Sequence, residues 1–145
     1  MNREIKFRGK DLVTGVWLYG HYMPPFFEGA SSFIWVPENC NDHWEYLNSQ
    51  VITDTVGQYT GLKDKNGVEI YEGDIIMSSA STGEPIYHDI FYNEDQAAFY
   101  AGLDGRRDAS FGICSVHQQW INEFGKVVVG NIHDNPELLN KEGTK

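Results

Sequence analysis

The run TDTVGQYTGLKDKNGVEIYEGDIIM, from Thr53 to Met77, restricts what this chain can fold into more than any other stretch. Val56, Gln58 and Thr60 alternate with Gly57, Tyr59 and Gly61, the two-residue rhythm of a half-buried strand. Lys63 to Gly67 is polar and ends in Asn66-Gly67, a pair that accepts the positive φ angles of a tight hairpin turn at little steric cost. Val68 to Tyr71 re-enters a strand, with Val68 and Ile70 expected on one face and Glu69 and Tyr71 on the other. Glu72-Gly73-Asp74 marks a second turn, and Ile75, Ile76 and Met77 form an apolar run too short for a helix, expected as a buried strand.

The rest of the chain punctuates in the same way. Ile5 and Phe7 oppose Lys6 and Arg8 in an amphipathic first strand, which turns at Asp11 to Gly15 into a second strand, Val16 to Tyr22. The large residues of that second strand predict cover on both faces. Met23-Pro24-Pro25 ends it, and Ser32 to Val36 resumes an extended pattern. His43 to Leu47 fits either one helical turn or an irregular loop, and Val51-Ile52 leads into the opening run. Beyond it, short strands are expected at Asp74 to Ser78, Ile86 to Tyr92, Ala97 to Ala101 and Ser110 to Ser115, a spacing that suggests a small barrel of SH3-like layout. Val116, Trp120 and Phe124 stand at helical spacing behind Ser115 as a cap, Val127 to Ile132 returns to strand, and Asn135-Pro136 starts a terminal helical turn. The fold class is therefore mainly β in two parts: an N-terminal β unit over 1–60, an SH3-like barrel-type unit over 61–140 with one or two short helices, and a loose tail over 141–145.

The run VGQYTGLKDKNGVEIYEGDII resembles the signature of the YopX-like family of phage and prophage proteins. Arg3 to Lys10 resembles that family's opening and Val129 to Leu139 its close, so the likeness brackets nearly the whole chain. The signature positions are Gly57, Gln58, Gly61, Leu62, Asn66, Gly67, Tyr71, Gly73, Asp74, Gly130, Asn131, Ile132 and Pro136, and their expected part is structural. The resemblance implies a small, self-associating phage-derived protein and carries over no catalytic residue.

Charge narrows the partners. The 145 residues carry a formal net charge of −10, and no Lys or Arg occurs between Asp11 and Leu62 or between Asn66 and Gly105. Such surfaces repel phosphate backbones. Arg3, Lys6, Arg8 and Lys10 are the exception, candidate phosphate contacts whose plainer reading is a solvated strand face paired with acids such as Glu4. The polar N-terminus and the lack of any segment of membrane-spanning length lead us to expect a product of the bacterial host cytoplasm. Cys40 and Cys114 are then expected as free thiols.

No motif for chemistry stands out. Histidines 21, 43, 88, 117 and 133 lack zinc spacing, and the nearest pairing is Cys40 with His43. Glu69, Glu72 and Asp74 cluster, but Asp74 is better read as a turn holder and Glu69 as a solvent-facing residue. There is no GxSxG elbow or Walker loop, and Cys114 lies in an apolar strand pattern. Catalytic, cofactor and metal residues are accordingly assigned to none. Trp17, Tyr19, Tyr22, Phe26, Phe27, Phe33 and Trp35, with Tyr87, Phe91, Tyr92, Phe99 and Tyr100, exceed what cores of this size hide, unless they simply fill both cores. The leading expectation is a non-enzymatic accessory protein that self-assembles and binds a host or phage protein through aromatic and acidic surface. The alternatives are a nucleic-acid-associated module built on the basic strand and the barrel, and an unrecognised hydrolase built on Glu72, Asp74 and His88.

Overall fold

The computed structural model describes residues 3–40, 43–103, 105–107 and 114–140, with backbone alone at 38–40 and 43–48. The chain is mainly β and divides into two compact units, Met1–Tyr59 and Thr60–Lys145. Part of the expected strand at Ser110 to Ser115, and the tail over 141–145, lie outside the described residues.

In the first unit, β1 (Phe7–Lys10), β2 (Trp17–Met23), β3 (Ser32–Cys40), β4 (His43–Val51) and the start of β5 (Gly57–Lys63) form an antiparallel sheet in the order β4-β3-β2-β1-β5. Asp11 sets the first turn by accepting hydrogen bonds at Oδ1 from Val13 N and Thr14 N. Where a helical turn or a loop was expected at His43 to Leu47, β4 runs straight through, paired with β3 from Ser32↔Val51 to Cys40↔His43. The correction has a cause: a nine-residue partner strand pairs with the segment along its whole length, and the aromatic-rich segment has β propensity. Pro37 is tolerated inside β3 because the β2 ladder ends at Trp35, so the missing donor falls where there is only one neighbour. The end of β4 meets the end of β1 through the Asp11↔Val51 bridge, with Leu12 N donating to Gln50 O and Ile52 N to Lys10 O, each at 2.9 Å. This curls the sheet around Ile34 and Val51, which are buried. Ser32, fully buried among them, is satisfied by Tyr22 Oη and Thr53 Oγ1.

In the second unit, β7 (Asp74–Ser79), β8 (Pro85–Asn93), β9 (Ala98–Ala101) and β10 (Cys114–Ser115) form a meander, and β11 (Val127–Asn131) returns beside β7. The short helix α1 (Gln118–Glu123) precedes that return, and the order β10-β9-β8-β7-β11 is that of an SH3-like barrel-type unit. The rest of β5 leads by the hairpin turn into β6 (Glu69–Tyr71), its neighbour. Ile70, Ile76, Ile90, Ala101 and Ile121 make the core, all without solvent exposure.

Three local expectations change. Val68 is exposed while Ile70 and Tyr71 are buried, and Tyr71 Oη donates to Glu69 Oε2 at 2.9 Å, so β6 is covered on both faces at its end. The cap of α1 is His117, whose Nδ1 accepts from Trp120 N, and not Ser115; the helix buries Ile121 and leaves Phe124 exposed. Val116 and Trp120 of the expected stripe do pack, partly buried, against the core beside Ile121, whereas Phe124 stands past the last helical residue. Asn135 opens the 3-10 turn Pro136–Leu138 without a side-chain cap, because its Oδ1 faces back to Asn131 N.

Candidate functional site

The most distinctive surface lies on the first unit, where β1 and β2 bring together what the sequence separates. Residues directly opposite in an antiparallel pair share a face, and the register sets Arg8 against Tyr19 and Lys10 against Trp17. The same face continues through His21, opposite Trp35 on β3. The expected cover on both faces of β2 is absent here: Tyr19 and His21 are exposed while Gly20 between them is buried.

Cations and rings interleave on this face. The Arg8 guanidinium stacks 4.6 Å from the Trp17 ring centroid, Lys10 Nζ lies 5.5 Å from the same ring, and Lys6 Nζ lies 4.9 Å from that of Tyr59. Arginine tolerates such burial because its delocalised charge is weakly hydrated and its plane stacks on aromatics, and Arg8 is 6% exposed. Of the four candidate phosphate contacts, Lys6, Arg8 and Lys10 converge on this face, with Lys6 also 3.2 Å from Glu4 Oε1. Arg3 is exposed and lines none of it.

At the centre is a groove of about 270 Å³, lined by Glu4, Ile5, Lys6, Tyr19, Gly20, His21 and Pro37. Its walls are mostly apolar carbon, with a cation, a carboxylate and an imidazole at hand. Such a site holds an apolar group and orients it by charge. It offers no activated nucleophile. The loop between β2 and β3 carries Phe26, 81% exposed, and Phe27, 72% exposed, ahead of a turn closed by Ala30 N on Phe27 O with Gly29 at φ 86°.

The signature positions form joints. Gly67 and Gly73 adopt φ near 85°, as the two turns require. Asp74, 1% exposed, accepts from Tyr71 N at 2.7 Å and holds the second turn. Its register partner is Asn131, and Ile132 N donates to Gly73 O at 2.8 Å, so the two distant signature blocks meet. A Cβ on Gly130 would meet Asn135 Oδ1, and Asn131 Oδ1 accepts from His133 N and Asp134 N.

Of the hydrolase set, Asp74 is committed to Tyr71 N, and His88 is buried with Nδ1 3.1 Å from Gly102 O. Burial, with the nearby Lys126 charge, pushes His88 down to about 4, so the ring is neutral at physiological pH. Lys126 was not foreseen. It is 3% exposed, donates to Ser78 Oγ at 2.9 Å and sits 4.0 Å from the Trp120 ring centroid, and burial lowers its amine to about 8. Cys114 is half-buried and burial raises its thiol, the setting of an unreactive cysteine. The side chains of Cys40 and His43 lie outside the described residues. Among the described residues no group of three or more His, Cys, Asp or Glu is placed to hold a metal ion, and no helix is long and apolar enough to cross a membrane.

A family model described as YopX protein matches residues 6–140. Protein EF1440 from Enterococcus faecalis, known from a crystal structure, is similar in fold with a TM-score of 0.59 and 29% sequence identity, over 94% of this chain and 99% of that one. No curated protein matches.

Proposed function

The chain belongs to the YopX protein family, and from that premise we propose that it is a non-enzymatic, phage- or prophage-derived accessory protein of the bacterial cytoplasm that self-associates and binds a host or phage protein. One observation carries this reading: large aromatic side chains stand in solvent, with Phe26 81%, Phe27 72% and Tyr19 46% exposed. Aromatic rings lose little conformational entropy when they anchor an interface, and leaving them in water is unfavourable by roughly 25 cal/mol per Å². Size-exclusion chromatography with light scattering tests the assembly. Self-association at micromolar concentration is expected, and a strict monomer overturns it.

The interleaved cations and rings of the β1–β2 face favour a second reading, a nucleic-acid-associated module. The partly exposed Lys6 and Lys10 beside exposed Tyr19 offer the pairing of charge and ring used for single strands, while Arg8, buried on Trp17, supports the face from beneath. Titration of a labelled single-stranded oligonucleotide at several salt concentrations decides it. Phosphate contact predicts a steep loss of affinity with salt, whereas no binding at low salt removes the reading.

A further inference from the structure

We propose that the groove lined by Glu4, Tyr19 and Pro37 binds a guanine base presented on a single strand of nucleic acid. This rests on the nucleic-acid reading above and goes beyond it by naming the base that the surface selects.

The groove belongs to the same face as the cations. Side chains two apart along a strand share a face, so Lys6, Arg8 and Lys10 stand together, as do Tyr19 and His21 on β2. Lys6, Tyr19 and His21 line the groove, Gly20 between the last two has no side chain to fill it, and Pro37 of β3 adds an apolar wall. Its volume of about 270 Å³ is nearly twice the roughly 150 Å³ cavity that accepts benzene, so it suits a fused two-ring body and leaves a pyrimidine loose. The Tyr19 ring, 46% exposed, supplies a surface on which such a body stacks.

The carboxylate decides between the purines. An ionised carboxylate only accepts, with about four acceptor positions on its two oxygens. Lys6 Nζ, 3.2 Å from Glu4 Oε1, takes one of them and steadies the group; among the described residues the Glu4 side chain makes no other hydrogen bond or ion pair, so Oε2 is left to accept from a ligand. Guanine presents two adjacent donors, N1–H and N2–H, on its Watson–Crick edge. Adenine and cytosine place a ring-nitrogen lone pair beside their amino group, and thymine flanks its one N–H with two carbonyls, so each sets an acceptor against the carboxylate.

The phosphates have a place apart from Glu4. Lys10 lies four residues along from Lys6, roughly 13 Å of extended chain, and is partly exposed beside Trp17. A strand running along this face sets a phosphate on Lys10 while its guanine stacks on Tyr19 in the groove.

The test titrates the full chain, at low salt, into labelled thymine tracts that carry one central guanine, inosine, adenine or cytosine. The guanine tract is expected to bind about tenfold tighter than the all-thymine tract, with inosine, which lacks the N2 amino group, in between. Glu4→Ala removes a side chain that is 63% exposed, and circular dichroism confirms that the variant folds. It is expected to abolish the guanine preference while keeping or raising affinity for the thymine tract, a change of selectivity that a loss of structure does not produce. If every tract binds equally and affinity falls as salt rises, the guanine assignment is overturned while the nucleic-acid reading stands. A guanine preference that survives Glu4→Ala overturns it as well. Free GMP, which does not span to Lys10, is expected to compete at least about tenfold more weakly than the guanine tract. Equal affinity for GMP keeps guanine and overturns the strand as its source. No binding of any tract or of GMP removes the underlying reading and the assignment together.

Discussion

Asp64 Oδ2 accepts a hydrogen bond from Val128 N at 3.0 Å, across 64 positions of sequence, while its Oδ1 accepts from Asn66 N and Val68 N at the hairpin tip. One carboxylate, 5% exposed, thus shapes a turn and ties it to the last strand of the second unit. Asp64→Ala leaves three backbone donors without this acceptor and is expected to cost about 3 kcal/mol. Asp64→Asn keeps one acceptor oxygen and is expected to cost less. Urea unfolding of the two variants checks the order.

Gly20 of β2 lies against the backbone of β3, and a Cβ there would collide with Trp35 O. The obstacle is backbone, so it cannot rotate away. Gly20→Ala is therefore expected to destabilise by about 3 kcal/mol, far more than an added methyl costs at an open site. Thermal melts against a substitution at an exposed β2 position such as Tyr19→Ser provide the comparison.

Trp17 underlies both Arg8 and Lys10. Trp17→Leu is expected to lose about 1–3 kcal/mol, from the cation–π contacts and from an arginine left buried against a smaller surface. Trp17→Phe keeps a ring face and is expected to recover part of that. If the two variants melt together, the stacking contributes nothing measurable.

The pH dependence follows from His88 and Lys126. Burial first, then the Lys126 charge, hold folded His88 at about 4 against an ordinary 6.5, so the unfolded chain takes up that proton first as pH falls. The stability from neutral His88 is complete above about 6.5 and is lost between 6.5 and 4, about 3 kcal/mol in all. Lys126 is depressed to about 8, so the folded chain sheds its proton first and stability rises from pH 8 toward 10.5. Lys126→Met is expected to abolish that alkaline gain. It should also raise the His88 midpoint, though burial keeps it below 6.5. Histidine NMR titration and urea midpoints at acid, neutral and alkaline pH read both effects.

Much of this fold was legible because β structure is written locally. Asn66-Gly67 and Gly73-Asp74 specify their turns through φ and side-chain acceptors, and the alternation before them specifies a strand. What the sequence concealed was set by distant pairing. His43 to Leu47 is a strand because β3 lies beside it, and His117 caps α1 because the helix starts later than Ser115 suggested. The candidate site was half visible. The basic residues of β1 stood out, but the role of Trp17 depends on a register that composition does not contain. The bonds of Asp64 to Val128 and of Lys126 to Ser78 span 64 and 48 positions and left no local signal.

β1 is an interior strand, bordered by β2 on one side and by β5 at Phe7↔Gln58 and Arg8↔Gly57 on the other. During synthesis it leaves the ribosome roughly fifty residues before its second neighbour, a wait of about 2–10 s at ordinary elongation rates. For that time a half-made sheet offers a bare edge to every other nascent chain nearby. Slowing translation before β5 has cleared the ribosome should therefore raise the aggregated fraction, whereas slowing it once β5 is outside should not.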